Sequence, residues 1–304
     1  DMKTRLRAVA IASTAFCLLP TMASGHDLAP PVEPAREPAP AGPALWQVID
    51  EDTTIYLFGT VHALRPGMAW FTDDVAAALA SADEVVTEID MTDVEAQMPA
   101  QMPKAMLTTG RTLRELMTDD DRAQYEAAMT ALGLPVEAFD PFEPWFAAMT
   151  LQMLPLLKEG YDPTQGVEMV LLENASETAT RGALETIGYQ FDVFDGLPME
   201  TQLAYLDQSI EQSDELVPML DTMVDLWMAG DSAALGMMMA ESLPDPLLYE
   251  RLLTTRNTNW AAWIADRMEQ PGTVFIAVGA AHLAGDDSVQ VKLAERGLAS
   301  SLVD

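Results

Sequence analysis

The sequence predicts an α/β fold: a central mixed β-sheet flanked by many helices, with GxxH loops at the carboxyl ends of two strands. Three observations predict it. β-branched and aromatic runs stand near both ends of the chain, "TIYLFGTVHAL" at 54–64 and "VFIAVGAAHLA" at 274–284. Between them, from about 92 to 270, apolar residues recur mostly at helical spacing with Pro and Gly punctuation. Residues 54–89 carry a β-α-β pattern, the unit that makes neighbouring strands parallel.

In chain order, Lys3, Arg5 and Arg7 precede an apolar stretch from Ala8 to Leu19 and then small residues, which predicts a signal peptide over 1–25 and a periplasmic or secreted protein. The stretch is too short for a bilayer, which needs about 20 apolar residues. Residues 26–44, "HDLAPPVEPAREPAPAGPA", predict a disordered Pro/Ala-rich spacer. A single folded domain is expected over 45–304. Trp46 to Ile49 and Thr54 to Phe58, joined by Asp50-Glu51-Asp52, predict a β-hairpin. Thr72 is a candidate N-cap for a helix through Leu79, and 84–89 reads as a strand. Helices are expected at 120–131, 145–158, 166–180, 199–211, 213–229, 231–241 and 246–270, and 188–194 reads as a further strand. A strand at 273–278, a loop and a helix over about 287–297 close the chain. Methionine groups such as 237–239 read as core packing at helical spacing.

Composition removes several function classes. With 48 acidic against 16 basic residues and a net charge of −32, the chain lacks the basic footprint that nucleic acid or an anionic membrane surface requires. Its one cysteine, Cys17, lies in the expected signal, so disulfides and thiolate metal sites are excluded from the mature chain. Any metal would be held by His, Asp, Glu or Asn. No Gly-x-Ser-x-Gly elbow, phosphate-cradling Gly-rich loop or HExxH helix occurs.

The chemistry gathers at the two runs. Each breaks at a glycine, Gly59 or Gly279, and places a histidine three residues on, His62 or His282. Glycine lets a chain turn sharply at a strand end, and open α/β sheets bind ligands outside the carboxyl ends of their strands. If the two strands are parallel, both imidazoles emerge on one edge. Glu88 joins them if its strand is parallel too, and Asp90 could point the same way. Two imidazoles and a carboxylate suit an open metal site with positions left for water or substrate. His26 falls in the spacer and has no role.

The motifs Gly59-Thr60-Val61-His62 and Gly279-Ala280-Ala281-His282 resemble those of the TraB/GumN family, related to the Tiki metalloproteases and more distantly to the erythromycin esterases. "VVTEID" matches the family's acidic strand end at Glu88, and "GVEMVLL", "ALETIGYQ" and "RNTNWAAWI" match later blocks, the likeness covering 45–304. One departure is Glu168, where the family more often has Asp. The resemblance implies His62, Glu88 and His282 as metal ligands and catalytic residues, with Arg256 and Asn257 nearby. It further implies a divalent ion, Mn²⁺ or alternatively Co²⁺ or Zn²⁺, and cleavage of peptide bonds. A bound ion lowers the pKa of its water, with Glu88 completing the coordination or acting as base, and Arg256 suits a developing oxyanion or substrate carboxylate. Two other readings stand beside the metal-dependent hydrolase acting on a peptide or small-molecule substrate. One is a metal-independent esterase with His62 as general base. The other is a non-catalytic periplasmic ligand-binding or regulatory protein. Arg256 also reads as a salt-bridge partner, and Glu185 and Gln190 as structural.

Overall fold

The computed structural model describes residues 42–91 and 94–303. The expected signal peptide and the spacer up to residue 41 lie outside the described residues. β1 (Leu45–Ile49) and β2 (Thr53–Thr60) form the expected antiparallel hairpin, with Trp46 opposite Leu57. Asp50 closes its turn, its carboxylate accepting the backbone N–H groups of Asp52 at 3.1 Å and Thr53 at 2.9 Å. Short acidic side chains favour turns because they can satisfy nearby backbone donors in this way.

α1 (Asp73–Ser81) starts as its sequence dictates: the Thr72 hydroxyl accepts the Val75 N–H, and Asp73 and Asp74 sit at the positive end of the helix dipole. The chain then enters β3 (Glu84–Thr87). Two further parallel strands, β4 (Thr180–Ala183) and β5 (Gly272–Gly279), and a short β6 (Ser301–Leu302) complete a mixed six-stranded sheet in the order β4-β3-β5-β2-β1-β6. β4, β3, β5 and β2 run parallel, so their carboxyl ends share one rim.

The sheet is covered on both faces, as parallel strands require. Ile55, Leu57, Val86, Val274, Ile276 and Val278 pack against Trp260, Ala261 and Ile264. Phe58, Val85, Phe275 and Ala277 face the other way, towards Trp70, Leu79 and Trp227. Burying both faces explains why β2 and β5 read as continuous apolar runs rather than alternating ones. A third apolar cluster lies among the helices, around Trp145, Tyr125, Phe191 and Phe194. Among the described residues no helix is long and apolar enough to cross a membrane.

Three expectations are corrected. Residues 188–194 are not a strand but part of a helix, Ile187–Asp195, in which Ile187, Gln190, Phe191 and Phe194 are buried at helical spacing. Thr186 caps it by accepting the Tyr189 N–H. The helix expected over 166–180 is Val167–Asn174, and the residues after it turn into β4. The long helix expected over 246–270 ends at Arg267 and is interrupted by a π turn, Glu250–Thr254, just ahead of Thr255–Arg267.

Candidate functional site

β2 and β5 are adjacent and parallel, with Gly59 beside Val278 and Thr60 beside Gly279. The two motif glycines therefore stand at the ends of neighbouring strands, Gly279 closing β5 and Gly59 next to last in β2, one step out of register. After β2 the chain bends to His62; after β5 a short 3₁₀ turn, Ala280–Leu283, carries His282. Glycine at 59 has a steric reason, since a Cβ there would stand 3.0 Å from the Ala280 Cα.

The structure brings His62, Glu88, His282 and Arg256 together at this rim. Beside Gly279, the point where a Cβ would stand lies 3.2 Å from Glu88 Oε1, 3.6 Å from His62 Nε2 and 3.5 Å from His282 Cδ2. Glu88 follows β3 directly and is buried. Its Oε1 accepts the Gly279 N–H at 2.7 Å; its Oε2 accepts from Arg256 Nη2 at 2.6 Å and Gln190 Nε2 at 3.2 Å. Burial pushes this carboxyl's pKa up, but Arg256 above all, with His62 and the Gly279 N–H, outweighs it and holds the value at about 2. Asp90 is exposed.

Arg256 lies buried at the start of Thr255–Arg267, immediately after the π turn. A guanidinium has five N–H donors, and all five are engaged. Nε donates to Glu185 at 2.9 Å, and Nη2 to Glu185 at 2.9 Å and to Glu88. Nη1 donates to the Leu252 carbonyl at 3.3 Å and to His282 Nε2 at 3.1 Å. In this arrangement Arg256 has no spare donor for an oxyanion or a substrate carboxylate. It is the hub that binds the rim together, and the salt-bridge reading describes it better.

The two imidazoles are not equivalent. His282 Nδ1–H donates to Asn257 Oδ1 at 2.6 Å, and the Asn257 amide is oriented by its own N–H bond to the Asp287 carbonyl at 2.8 Å. The ring lies against Trp260, centroids 4.3 Å apart. Burial and the adjacent Arg256 depress its pKa to about 3, so it stays neutral. His62 reaches solvent, its side chain 17% exposed. Its Nδ1–H pairs with Glu168, which also accepts the Thr60 hydroxyl. Burial alone would lower the His62 pKa, but Glu168 and, more weakly, Glu88 raise it above 6.5. His62 is thus the basic, accessible ring.

A divalent ion shared by His62, Glu88 and His282 does not fit these positions. His282 offers a carbon to the cradle beside Gly279, and its Nε2 lone pair accepts from Arg256. Among the described residues no three His, Asp or Glu side chains are disposed to hold one ion.

Sequence reasoning missed the roles of Glu168 and Trp260, and read Glu185 as structural without finding its partner Arg256. Glu168 stands in the first turn of Val167–Asn174, and Glu185 follows β4, its N–H extending the ladder to the Glu88 carbonyl at 2.8 Å. Trp260 lies one helical turn after Arg256 and donates from Nε1 to Glu185 Oε1 at 2.9 Å. The i, i+4 spacing of Arg256 and Trp260 is the signal that could have found it.

Fold and rim define the class: an α/β protein whose parallel strands bring two imidazoles and two carboxylates to one rim, where a buried arginine joins both carboxylates and His282. The chain belongs to the TraB/PrgY/gumN family, whose model matches residues 44–301. No curated protein and no solved structure matches it.

Proposed function

We propose that this chain is a hydrolase that activates water for attack on a peptide or ester carbonyl, with His62 as general base. The supporting observation is the cradle beside Gly279, where Glu88 Oε1 and His62 Nε2 stand 3.2 and 3.6 Å from one point that a glycine leaves open. Both acceptors flank that opening, and a water lodged beside it, at contact distance from the Gly279 Cα, would donate to the two of them. Glu168 holds the His62 Nδ1–H, which fixes the tautomer whose Nε2 lone pair takes the proton and stabilises the imidazolium that follows. Glu88, kept ionised by Arg256, orients the water. His282 stays neutral and braces Arg256 through its Nε2.

Replacing Gly279 by Ala tests this. Its φ of −48° suits alanine, so the methyl fills the cradle without backbone strain. Turnover of a peptide and ester panel should fall by at least about a hundredfold, the usual worth of a general base; because the methyl also presses on Glu88 Oε1 at 3.2 Å, the melting temperature is measured beside it to show that the variant is folded. Undiminished turnover in Gly279→Ala overturns the proposal. A wild-type protein that retains a ligand saturably without turnover favours the binding-protein reading.

A second reading keeps the divalent ion. Each imidazole is tied through Nδ1 to a side-chain oxygen, the support that metal-ligating histidines usually have. Such an ion would supply Lewis-acid chemistry and would require Arg256 to release His282. Elemental analysis of untagged protein beside His62→Ala and His282→Ala distinguishes the two: stoichiometric metal lost in both variants supports this reading. Export belongs to the same proposal, and the amino-terminal sequence of the mature chain tests it.

A further inference from the structure

Besides Glu168, the His62 loop is gripped along its backbone. We infer that Gly166 is a positioning residue for His62: its missing side chain sets how deeply the segment 162–168 seats against 60–64, and so whether the imidazole meets Glu168.

Gly166 has φ −54° and ψ 143°, ordinary extended backbone open to any residue. Conformation does not require glycine here; space does. A Cβ at 166 would lie 2.5 Å from the His62 carbonyl oxygen, 3.0 Å from its carbonyl carbon and 3.0 Å from the Pro163 oxygen. Two of those contacts are the backbone of His62 itself, which cannot rotate out of the way. Around this point the segments are pinned: Val167 N–H donates to the Val61 carbonyl at 3.0 Å, and Leu64 and Asp162 exchange backbone bonds at 3.4 and 3.0 Å. Asp162 fixes the turn between them by accepting from the Thr164 N–H at 2.8 Å. Gly166 also precedes Val167–Asn174, whose first turn carries Glu168. One residue thus touches the His62 backbone and launches the helix bearing its partner. A methyl at 166 must push the two apart, against bonds that hold both sides.

The inference deepens the reading of His62 as base, and its test uses no turnover, so either can fail alone. In full-length protein with ¹⁵N-labelled histidine, two hydrogen-bonded Nδ1–H protons are expected, one from His62 to Glu168 and one from His282 to Asn257. His62→Gln identifies the first by its loss. Gly166→Ala should lose that same signal and keep the His282 signal, which reports that the rim is still folded. A retained His62 signal in folded Gly166→Ala overturns the inference. Should the alanine chain not fold, Val167→Pro parts the same two segments from the neighbouring residue: proline suits the first helical position, and its ring carbon replaces the N–H that bonds the Val61 carbonyl, so that carbonyl must move away. Weakening of the His62 signal alone supports the assignment, and two unchanged signals overturn it.

Discussion

At the scale of single residues, the arginine governs the rim. A buried cation with every donor engaged is costly to disturb, because the groups left behind cannot reach water. Arg256→Met would leave Glu88 and Glu185 facing one another without a cation. Unfolding in urea should show a loss of about 3–5 kcal/mol, the usual cost of removing one partner from a buried ion pair. Arg256→Lys keeps the charge but loses the fork that spans two carboxylates, His282 and Leu252, and should recover only part of that loss. The histidines should differ in the same assay. His282 is packed on Trp260 and holds Asn257, so His282→Ala should cost about 2–3 kcal/mol, as buried hydrogen-bonded positions do. His62→Asn, whose amide N–H can still serve the buried Glu168 carboxylate, should cost much less while removing the proposed base. Equal losses at the two positions would contradict the division of roles.

At the scale of elements, four neighbouring parallel strands each end in one member of the site: His62 after β2, His282 after β5, Glu88 after β3 and Glu185 after β4. The first three were legible in the sequence because their strands are buried on both faces and read as apolar runs. β4 was not. Its sequence, Thr-Arg-Gly-Ala, pairs at the sheet edge with its first two residues exposed, so no periodicity marks it. The helix Ile187–Asp195 was misread for the opposite reason: Ile187, Phe191, Val193 and Phe194 suit either state, and the Thr186 cap was the signal that decides. The π turn was also invisible, since none of the residues Glu250–Thr254 breaks the helical pattern of the sequence. The cap yields a prediction. Thr186→Ala removes the acceptor for the Tyr189 N–H and should destabilise the fold by about 1 kcal/mol in urea. Thr186→Ser, which keeps the acceptor, should restore most of it.

At the scale of the whole molecule, charge and proton binding set the conditions in which the fold persists. A net charge of −32 means that carboxylates repel one another over most of the surface. The rim adds a defined pH dependence. The His282 pKa is about 3 in the folded chain against 6.5 for an ordinary histidine. Between those values the unfolded chain binds a proton that the folded chain refuses, so stability falls as pH is lowered through that window. Glu88, held at about 2 against 4.5, adds a second proton of the same sign below pH 4.5. His62 has the reverse sign: its contribution is complete below 6.5 and is lost as pH rises through its elevated folded value. Asp207, raised to about 6 by burial and the neighbouring Asp121, opposes the acid limb, so the raw curve mixes both signs. A difference measurement isolates the histidine. Relative to His282→Asn, which cannot take up the proton, the stability advantage of the wild type should shrink by up to about 1.4 kcal/mol per pH unit as pH falls from 6.5 towards 3. Urea titrations of both chains across that range at fixed ionic strength measure it. A constant difference would mean that His282 is protonated in the folded protein, and the bond it accepts from Arg256 could not then exist.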